Sequence, residues 1–444
     1  MESGQSLAGY TFPTETNAAL VPAPPQTVAE SGLSIDLLAQ LALKTLYFAS
    51  ELTGTELARR LGLRFSVIEP AIDLLRSQAH CSIVAGLMVG GGSFLYRITG
   101  EGRSVAAMFL RQNQYVGRAP VPIDQYREYI EARRQAWRPQ VTREQVRSAF
   151  PDLVLTDLVI DEVGPAVNRG HSVFIYGAPG NGKTALARGL HELLEGDIAV
   201  PHAIEVEGNV VRVYDPLTHH ARPPASASDE LAPSLSDAMD QRWVLCRRPM
   251  VQVGGELTID SLDLTYAAAL GFYRAPVQLL ANGGLLLIDD FGRQRCTPQD
   301  LLNRWMSPLE NGADYLTLQS GLRFAVPFHV FIALATNLHP AELIDEAFLR
   351  RVPFKVRAAD PTPAQFHRIF QRACSEEGVP FEPTLVQYLF DKHYTPRMLP
   401  LRGCHPRDLI AQALLLAEYA DQPRVLTPDL LSKACESYFV NEHV

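Results

Sequence analysis

The hydrophobic pattern changes character along this chain. From Ser34 to about Arg111, Ile35, Leu37, Leu38, Leu41, Ala42, Leu46 and Tyr47 recur at the spacing of one broad helix face, and Ser34 is placed to cap it. Two S/T-x-x-E boxes follow, Thr53-Gly54-Thr55-Glu56 and Ser66-Val67-Ile68-Glu69. Each predicts the start of a short helix, and Gly62 between them gives a helix-turn-helix outline. Pro70 then falls in the first turn of the second helix, where it is tolerated. Cys81-Ser82-Ile83-Val84, a turn at Gly90-Gly91-Gly92, and Phe94-Leu95-Tyr96-Arg97-Ile98 predict a hairpin. From about residue 151, apolar strand-like runs alternate with helical patterns, the signature of a parallel sheet covered on both faces. The runs assigned to that sheet are Ser172–Tyr176, Val210–Tyr214, Leu285–Asp289, Val330–Ala335 and Phe354–Val356. After Pro361 the pattern is helical, near 363–376, 384–392, 406–420 and 428–440.

Five segments result. Residues 1–33, with Val21-Pro22-Ala23-Pro24-Pro25, have too little apolar surface to offset the entropy of ordering and read as a flexible arm. Residues 34–111 resemble a winged-helix domain of α+β type. Residues 112–150 form a connector punctuated by Pro120, Pro122 and Pro139, with a helix over Asp124 to Trp137. Residues 151–360 form the α/β core, and 361–444 a helical lid. Pro216–Ser236, rich in Pro, Ala and Ser, reads as an exposed loop.

At 444 residues the chain is long enough for two or three compact units, and 47% apolar with 20% charged residues is an ordinary globular balance. It has no uncharged apolar run long enough to span a bilayer and no secretory leader pattern, so a soluble, cytoplasmic protein is expected. Six scattered cysteines without a CxxC pair predict free thiols. His219-His220 lacks a third ligand at useful spacing and reads as a solvent-facing pair. A net charge of −9 argues against a protein that coats nucleic acid. Residues 51–80 carry Arg59, Arg60, Arg64 and Arg76 against Glu51, Glu56, Glu69 and Asp73, a sum of zero. Since phosphate contacts supply much of the affinity for DNA, docking to protein is the leading reading for this module and DNA the lesser. The connector's arginines read as a solvated face.

One stretch carries strong chemistry. Gly177-Ala178-Pro179-Gly180-Asn181-Gly182-Lys183-Thr184 is a full GxxxxGK[ST] phosphate loop, preceded by the strand-like Val173-Phe174-Ile175-Tyr176 and followed by a helical run from Ala185. Its glycines let backbone N–H groups face inward, and the helix adds the positive end of its dipole at the same point. Gly177, Pro179, Gly180, Asn181, Gly182, Lys183, Thr184 and Ala185 are the expected nucleotide contacts, with Lys183 on the β- and γ-phosphates and Thr184 on Mg²⁺. Leu285-Leu286-Leu287-Ile288-Asp289-Asp290 ends a buried strand in two carboxylates, which places Asp289 as the second Mg²⁺ ligand.

With these motifs in place, residues 151 to 440 resemble the AAA+ ATPases. The resemblance implies ATP and Mg²⁺ as ligands and a homo-oligomeric, hexameric ring that remodels or assembles a protein client. In Phe331-Ile332-Ala333-Leu334-Ala335-Thr336-Asn337, Asn337 looks like the sensor that aligns the attacking water. Asp345-Glu346-Ala347-Phe348-Leu349-Arg350-Arg351 looks like the subunit-edge element, one of Arg350 and Arg351 acting in trans. Gly403-Cys404-His405-Pro406-Arg407-Asp408-Leu409 resembles the lid motif that turns Arg407 to the phosphates. Gly271-Phe272-Tyr273-Arg274-Ala275-Pro276, Ala281-Asn282-Gly283-Gly284 and a hairpin of Tyr315–Leu318 with Arg323–Val326 are similar to the MoxR and magnesium-chelatase branch, where Phe272 and Tyr273 would be pore-loop residues. One departure stands out: the family ends this strand Asp-Glu, this chain Asp289-Asp290. Asp290 is the expected water activator, but it is a methylene shorter, and a misplacement of about 1 Å costs on the order of a hundredfold in rate. Three functions therefore stay open: a working ATPase, an ATP-controlled DNA-binding regulator, and a nucleotide-binding scaffold with little turnover.

Overall fold

Strands without polar interruption build the centre of the molecule. In the computed structural model, which describes residues 21–85, 91–151, 153–170, 172–223, 238–343 and 349–439, five strands form one sheet: β1 (Val173–Tyr176), β2 (Met250–Val253), β3 (Leu285–Ile288), β4 (Phe331–Thr336) and β5 (Phe354–Arg357). Their order is β2-β3-β4-β1-β5, all parallel. Val173, Ile175, Leu285, Leu287, Ala333 and Ala335 enter one core, and Phe174, Leu286, Ile288, Ile332 and Leu334 the opposite one. Both faces of the three central strands are covered, so β1, β3 and β4 read as apolar runs.

One of the five assigned strands is wrong. Val210–Tyr214 is not in this sheet; β2 holds the edge position instead. Asn209–Arg212 pairs antiparallel with Ala203–Val206 around Glu207 (φ 47°) and Gly208 (φ 78°), a two-residue hairpin turn. This hairpin belongs to a second sheet, ordered Thr265–Ala267, Phe272–Arg274, Asn209–Arg212, Ala203–Val206 and Val121–Pro122. β2 escaped notice because an edge strand alternates: Val251 and Val253 are buried while Gln252 faces out. Phe272 and Tyr273 are buried in the second sheet, Phe272 against the N-terminal core and Tyr273 in the core beneath the sheet. Neither is a pore-loop side chain. His219 is likewise buried, its Nε2 2.9 Å from the Leu280 carbonyl oxygen and its Nδ1 accepting from the Asp215 N–H at 3.0 Å; only His220 is exposed.

The N-terminal unit packs the helices Ile35–Ala49, Gly54–Leu61, Phe65–Ser77 and Gly100–Gln112 with a three-stranded antiparallel sheet of Glu51–Thr53, Leu95–Ile98 and Cys81–Ala85. Ser34 and Thr53 cap as expected. Ser66 does not: its helix begins one residue earlier, at Phe65, and Ser66 Oγ donates to the Gln26 carbonyl instead. Pro70 is consequently inside that helix. Residues 21–33, read as part of an arm, are docked. Thr27 caps the short helix Val28–Ser31, and the backbone anchors a buried ion pair. Arg242 and Asp240 are both fully buried, with Nη2 and Oδ2 2.8 Å apart. Arg242 Nη1 donates to the Ser31 carbonyl at 2.9 Å, Nη2 to Gln125 Oε1 at 3.1 Å, and the Asp240 N–H to the Pro22 carbonyl at 2.8 Å. Gly90, residues 1–20, 224–236 of the Pro-Ala-Ser loop and Asp345–Phe348 lie outside the described residues.

The helices Pro363–Glu376, Pro383–Leu389, His405–Tyr419 and Pro428–Tyr438 enclose a core of their own, with Thr362 and Gln365 forming a capping box at its entry. All six cysteines are free.

Because removing one partner of a buried pair strands the other charge, Asp240→Ala should cost about 3–5 kcal/mol of stability, read as a lowered denaturant midpoint. A double Asp240→Leu/Arg242→Met variant should recover most of that loss.

Candidate active site

β1 runs out at Tyr176, and the chain turns through Gly177–Gly182 into the helix Lys183–Leu193. Gly180 has φ 81°, and a Cβ there would sit 2.4 Å from Cys404 Sγ of the lid, so loop and lid approach closely only with glycine at this point. Lys183 opens the helix and is 8% exposed. Its Nζ donates to the carbonyls of Gly177 (3.0 Å) and Ala178 (2.9 Å) and to Asn337 Oδ1 (2.6 Å). Burial draws its pKa below the usual lysine value, while the Asp290 and Asp289 carboxylates oppose that shift.

The carboxyl ends of β3 and β4 supply the acids and the amide. Asp289 Oδ2 accepts from Thr184 Oγ1 at 2.9 Å and from Gln252 Nε2 at 3.2 Å. Asn337 uses both ends of its amide: Oδ1 faces Lys183, and Nδ2 donates to Asp290 Oδ1 at 3.1 Å. Asp290 holds φ 48°, a left-handed backbone that aspartate tolerates better than most side chains. Gln294 Nε2 ties down the turn by donating to the carbonyls of Asp289 (3.0 Å) and Asp290 (3.2 Å). Asp289 and Thr184 are hard oxygen donors in contact, and among the described residues no cluster of three or more His, Cys, Asp or Glu is placed to hold a metal. Two protein oxygens with the remainder from phosphate and water is the donor set Mg²⁺ takes, so the residues fit that ion.

The lid closes the other side. Asn181 Nδ2 donates to Asp360 Oδ1 (2.7 Å) and the Ala358 carbonyl (3.2 Å), and its Oδ1 accepts from the Gly403 N–H (3.1 Å). Arg402 pairs with Asp360. Between them lies a cleft of about 1320 Å³ lined by the phosphate loop, Asp289, Asp290, Asn337, Arg357 and Arg407. Leu153, Leu155 and Ile369 give it an apolar wall. Gly177 and Ala185 flank this arrangement, Ala185 and Pro179 lining the cleft. Arg350 and Arg351 do not line it; Arg351 Nε donates to Glu310 Oε1 at 2.6 Å.

Gln252, Gln294, Asp360 and Arg402 were not legible in the sequence. Gln252 could have been found, since it is the one outward polar residue of an edge strand whose neighbour ends in Asp289. The other three act through loop geometry that no motif encodes.

A sequence family described as a domain of unknown function (DUF8689) matches residues 362–437, the lid. No curated protein matches the chain. Among solved structures, NtrX from Brucella abortus in complex with ATP is similar at 14% identity and TM-score 0.39, over 69% of this chain and 60% of that one. A second structure of NtrX gives 15% and 0.38, and the chain spans 58% of its length. A Thermotoga maritima RuvB mutant gives 16% and 0.37, over 68% and 73%. The strand order and the position of the loop make the chain a P-loop α/β sheet with a helical lid. Among the described residues no helix is long and apolar enough to cross a membrane.

His405, beside Arg407, is held down to about 4, first by burial and then by Arg402; Tyr394 Oη lies 2.9 Å from its Nδ1. His202 and His329 are also held at about 4, chiefly by burial. A folded pKa below the unfolded value means the unfolded chain binds more protons between the two. The stability is therefore present above about pH 6.5 and is lost as pH falls toward 4, by about 1.4 kcal/mol per pH unit for each such group. Melting curves across this window should show the fall, and His405→Gln should make it shallower.

Proposed function

We propose that the cleft binds MgATP and hydrolyses it. The single observation that supports this reading is the convergence of Lys183, Thr184, Asp289, Asp290 and Asn337 in one hydrogen-bonded set at the carboxyl ends of three adjacent strands. Adjacent parallel strands ending together are where α/β proteins bind ligands. In the proposed roles the phosphate loop from Gly177 to Ala185 cradles the triphosphate, Lys183 contacts its outer phosphates, and Thr184 and Asp289 hold Mg²⁺. When bound, that ion neutralises charge on the phosphate oxygens. The apolar wall of Leu153, Leu155 and Ile369 receives the base. Lys183 must exchange its carbonyl and Asn337 partners for phosphate oxygens, which frees Asn337 to hold a water near Asp290.

Asp290 is the proposed water activator. Its shorter side chain is offset by position: the left-handed backbone and the Asn337 amide hold the carboxylate at the mouth of the cleft. Catalysis of this kind is electrostatic and positional, with no covalent intermediate. Arg407 is the proposed lid sensor. Arg350 or Arg351 is proposed to act on a neighbouring subunit's nucleotide, for which their place outside their own cleft is suitable. The N-terminal unit, residues 34–111, is then the docking part for a protein client.

Lys183→Ala should weaken MgATP binding by at least tenfold in calorimetry; unchanged affinity rules the assignment out. Asp290→Asn should lower steady-state phosphate release at least tenfold, whereas equal, near-zero rates in both proteins would mean a binding scaffold. If an arginine acts in trans, specific activity should rise with protein concentration, and Arg350→Ala or Arg351→Ala should flatten that rise without changing ATP affinity of the dilute protein.

A further inference from the structure

The four arginines and four acids of residues 51–80 cancel in sum, but the structure separates them. Arg76 pairs with Asp73 at 2.9 Å, and Glu51 pairs with Arg97 at 2.7 Å. Arg59 and Arg60 are left to share Glu56 at 3.7 and 3.9 Å, both long contacts on an exposed surface. Arg118 reaches the same helix turn from the connector, and its Nη1 donates to the Arg59 carbonyl. Among the described residues that is the one hydrogen bond made by a guanidinium that carries five N–H donors.

Arg59, Arg60 and Arg118 line a recess of about 440 Å³ together with Thr45, Val116 and Gly117. The recess sits where the N-terminal unit meets the second sheet: the Ala119 N–H donates to the Leu61 carbonyl at 2.8 Å, and Gly62 abuts both Arg118 and Gln241. The electrostatics agree with the geometry. Burial and then the like charge of Arg59 draw the Arg118 pKa down, and Arg118 and Arg212 add to the burial that depresses His202. Three like charges meeting in a recess repel one another, and a bound anion would reverse that repulsion.

We propose that this recess is a second anion site, built for a compact polyphosphate, either the free ion or the phosphate tail of a nucleotide. Guanidinium forks match phosphate oxygens in pairs, and the volume falls within the range of small-ligand pockets, about 300–1,000 Å³. A long nucleic acid is the weaker occupant. The helix Phe65–Ser77, which a duplex would have to engage, contributes no residue to the recess and bears Glu69 and Asp73, with Arg76 already paired. A ligand here would join the N-terminal unit to the second sheet, and so to the core that carries the proposed ATP site.

Calorimetric titration of the full chain with inorganic tripolyphosphate tests this, with Arg59→Gln/Arg60→Gln as the main variant because both side chains are exposed and their loss leaves the core intact. Wild type should bind two equivalents. Lys183→Ala should keep the recess site, and the arginine variant should keep only the phosphate-loop site, its recess affinity falling at least tenfold with an unchanged melting curve. ATP in place of tripolyphosphate on Lys183→Ala distinguishes the sources: tighter binding means a nucleotide, equal binding the free ion. A single equivalent in wild type that Lys183→Ala abolishes overturns the proposal, as does an arginine variant that titrates like wild type. Duplex DNA binding lost in the arginine variant, with no tripolyphosphate at the recess, also overturns it. If Lys183→Ala instead keeps both equivalents, the phosphate-loop reading fails while the recess stands.

Discussion

A buried ammonium group in need of oxygen partners organises the rest of this molecule. Lys183 stands at the start of a helix, almost out of solvent, with two backbone carbonyls and one amide oxygen around it and two carboxylates near. Burying a charge this way is costly unless it is paired and hydrogen-bonded. The sheet supplies the remedy: β1, β3 and β4 lie close in the order β3-β4-β1, so the residues after each strand meet at one end. The apolar runs of the core are thus what bring the polar ends together. Their burial fixes the register, and the register fixes which side chains face the loop.

Much of this was legible because it rests on local, periodic or motif-bound chemistry. Four of the five sheet strands and the four lid helices follow from the apolar pattern, and the hairpin expected from the resemblance at Tyr315–Leu318 with Arg323–Val326 forms as Ala313–Thr317 with Arg323–Pro327. What failed was long-range. Val210 to Tyr214 is a β-prone run broken only by Arg212, and the Glu207-Gly208 turn is what folds it back on its predecessor. Ser66 has the right neighbours for a cap, yet a tertiary bond to Gln26 takes its hydroxyl and the helix starts at Phe65. Phe272 and Tyr273, pore-loop residues only by resemblance, are both claimed by burial.

The candidate site divides the same way. The loop and the two aspartates could be named from motif and spacing, and Asn337 from the resemblance, since each sits at the end of a strand. Gln294 and the bonds that join Asn181 to Asp360 and Arg402 could not. Their partners come from turns and from another subdomain, and nothing in a sequence window carries that information. The same holds for Arg242 and Asp240, two residues apart in sequence but fully buried only because residues 22 and 31 return to cover them.

The Asn181 side chain touches the loop's own neighbourhood, the sheet edge at Ala358 and Asp360, and the lid at Gly403 all at once. A change of lid angle would therefore have to break or re-form bonds of one amide that belongs to the loop. By thermodynamic reciprocity, whatever fills the loop and shifts that amide biases the lid, and whatever grips the lid from outside alters the loop's affinity by the same factor. A single carboxamide thus ties the geometry at the carboxyl ends of the sheet to the angle of the lid.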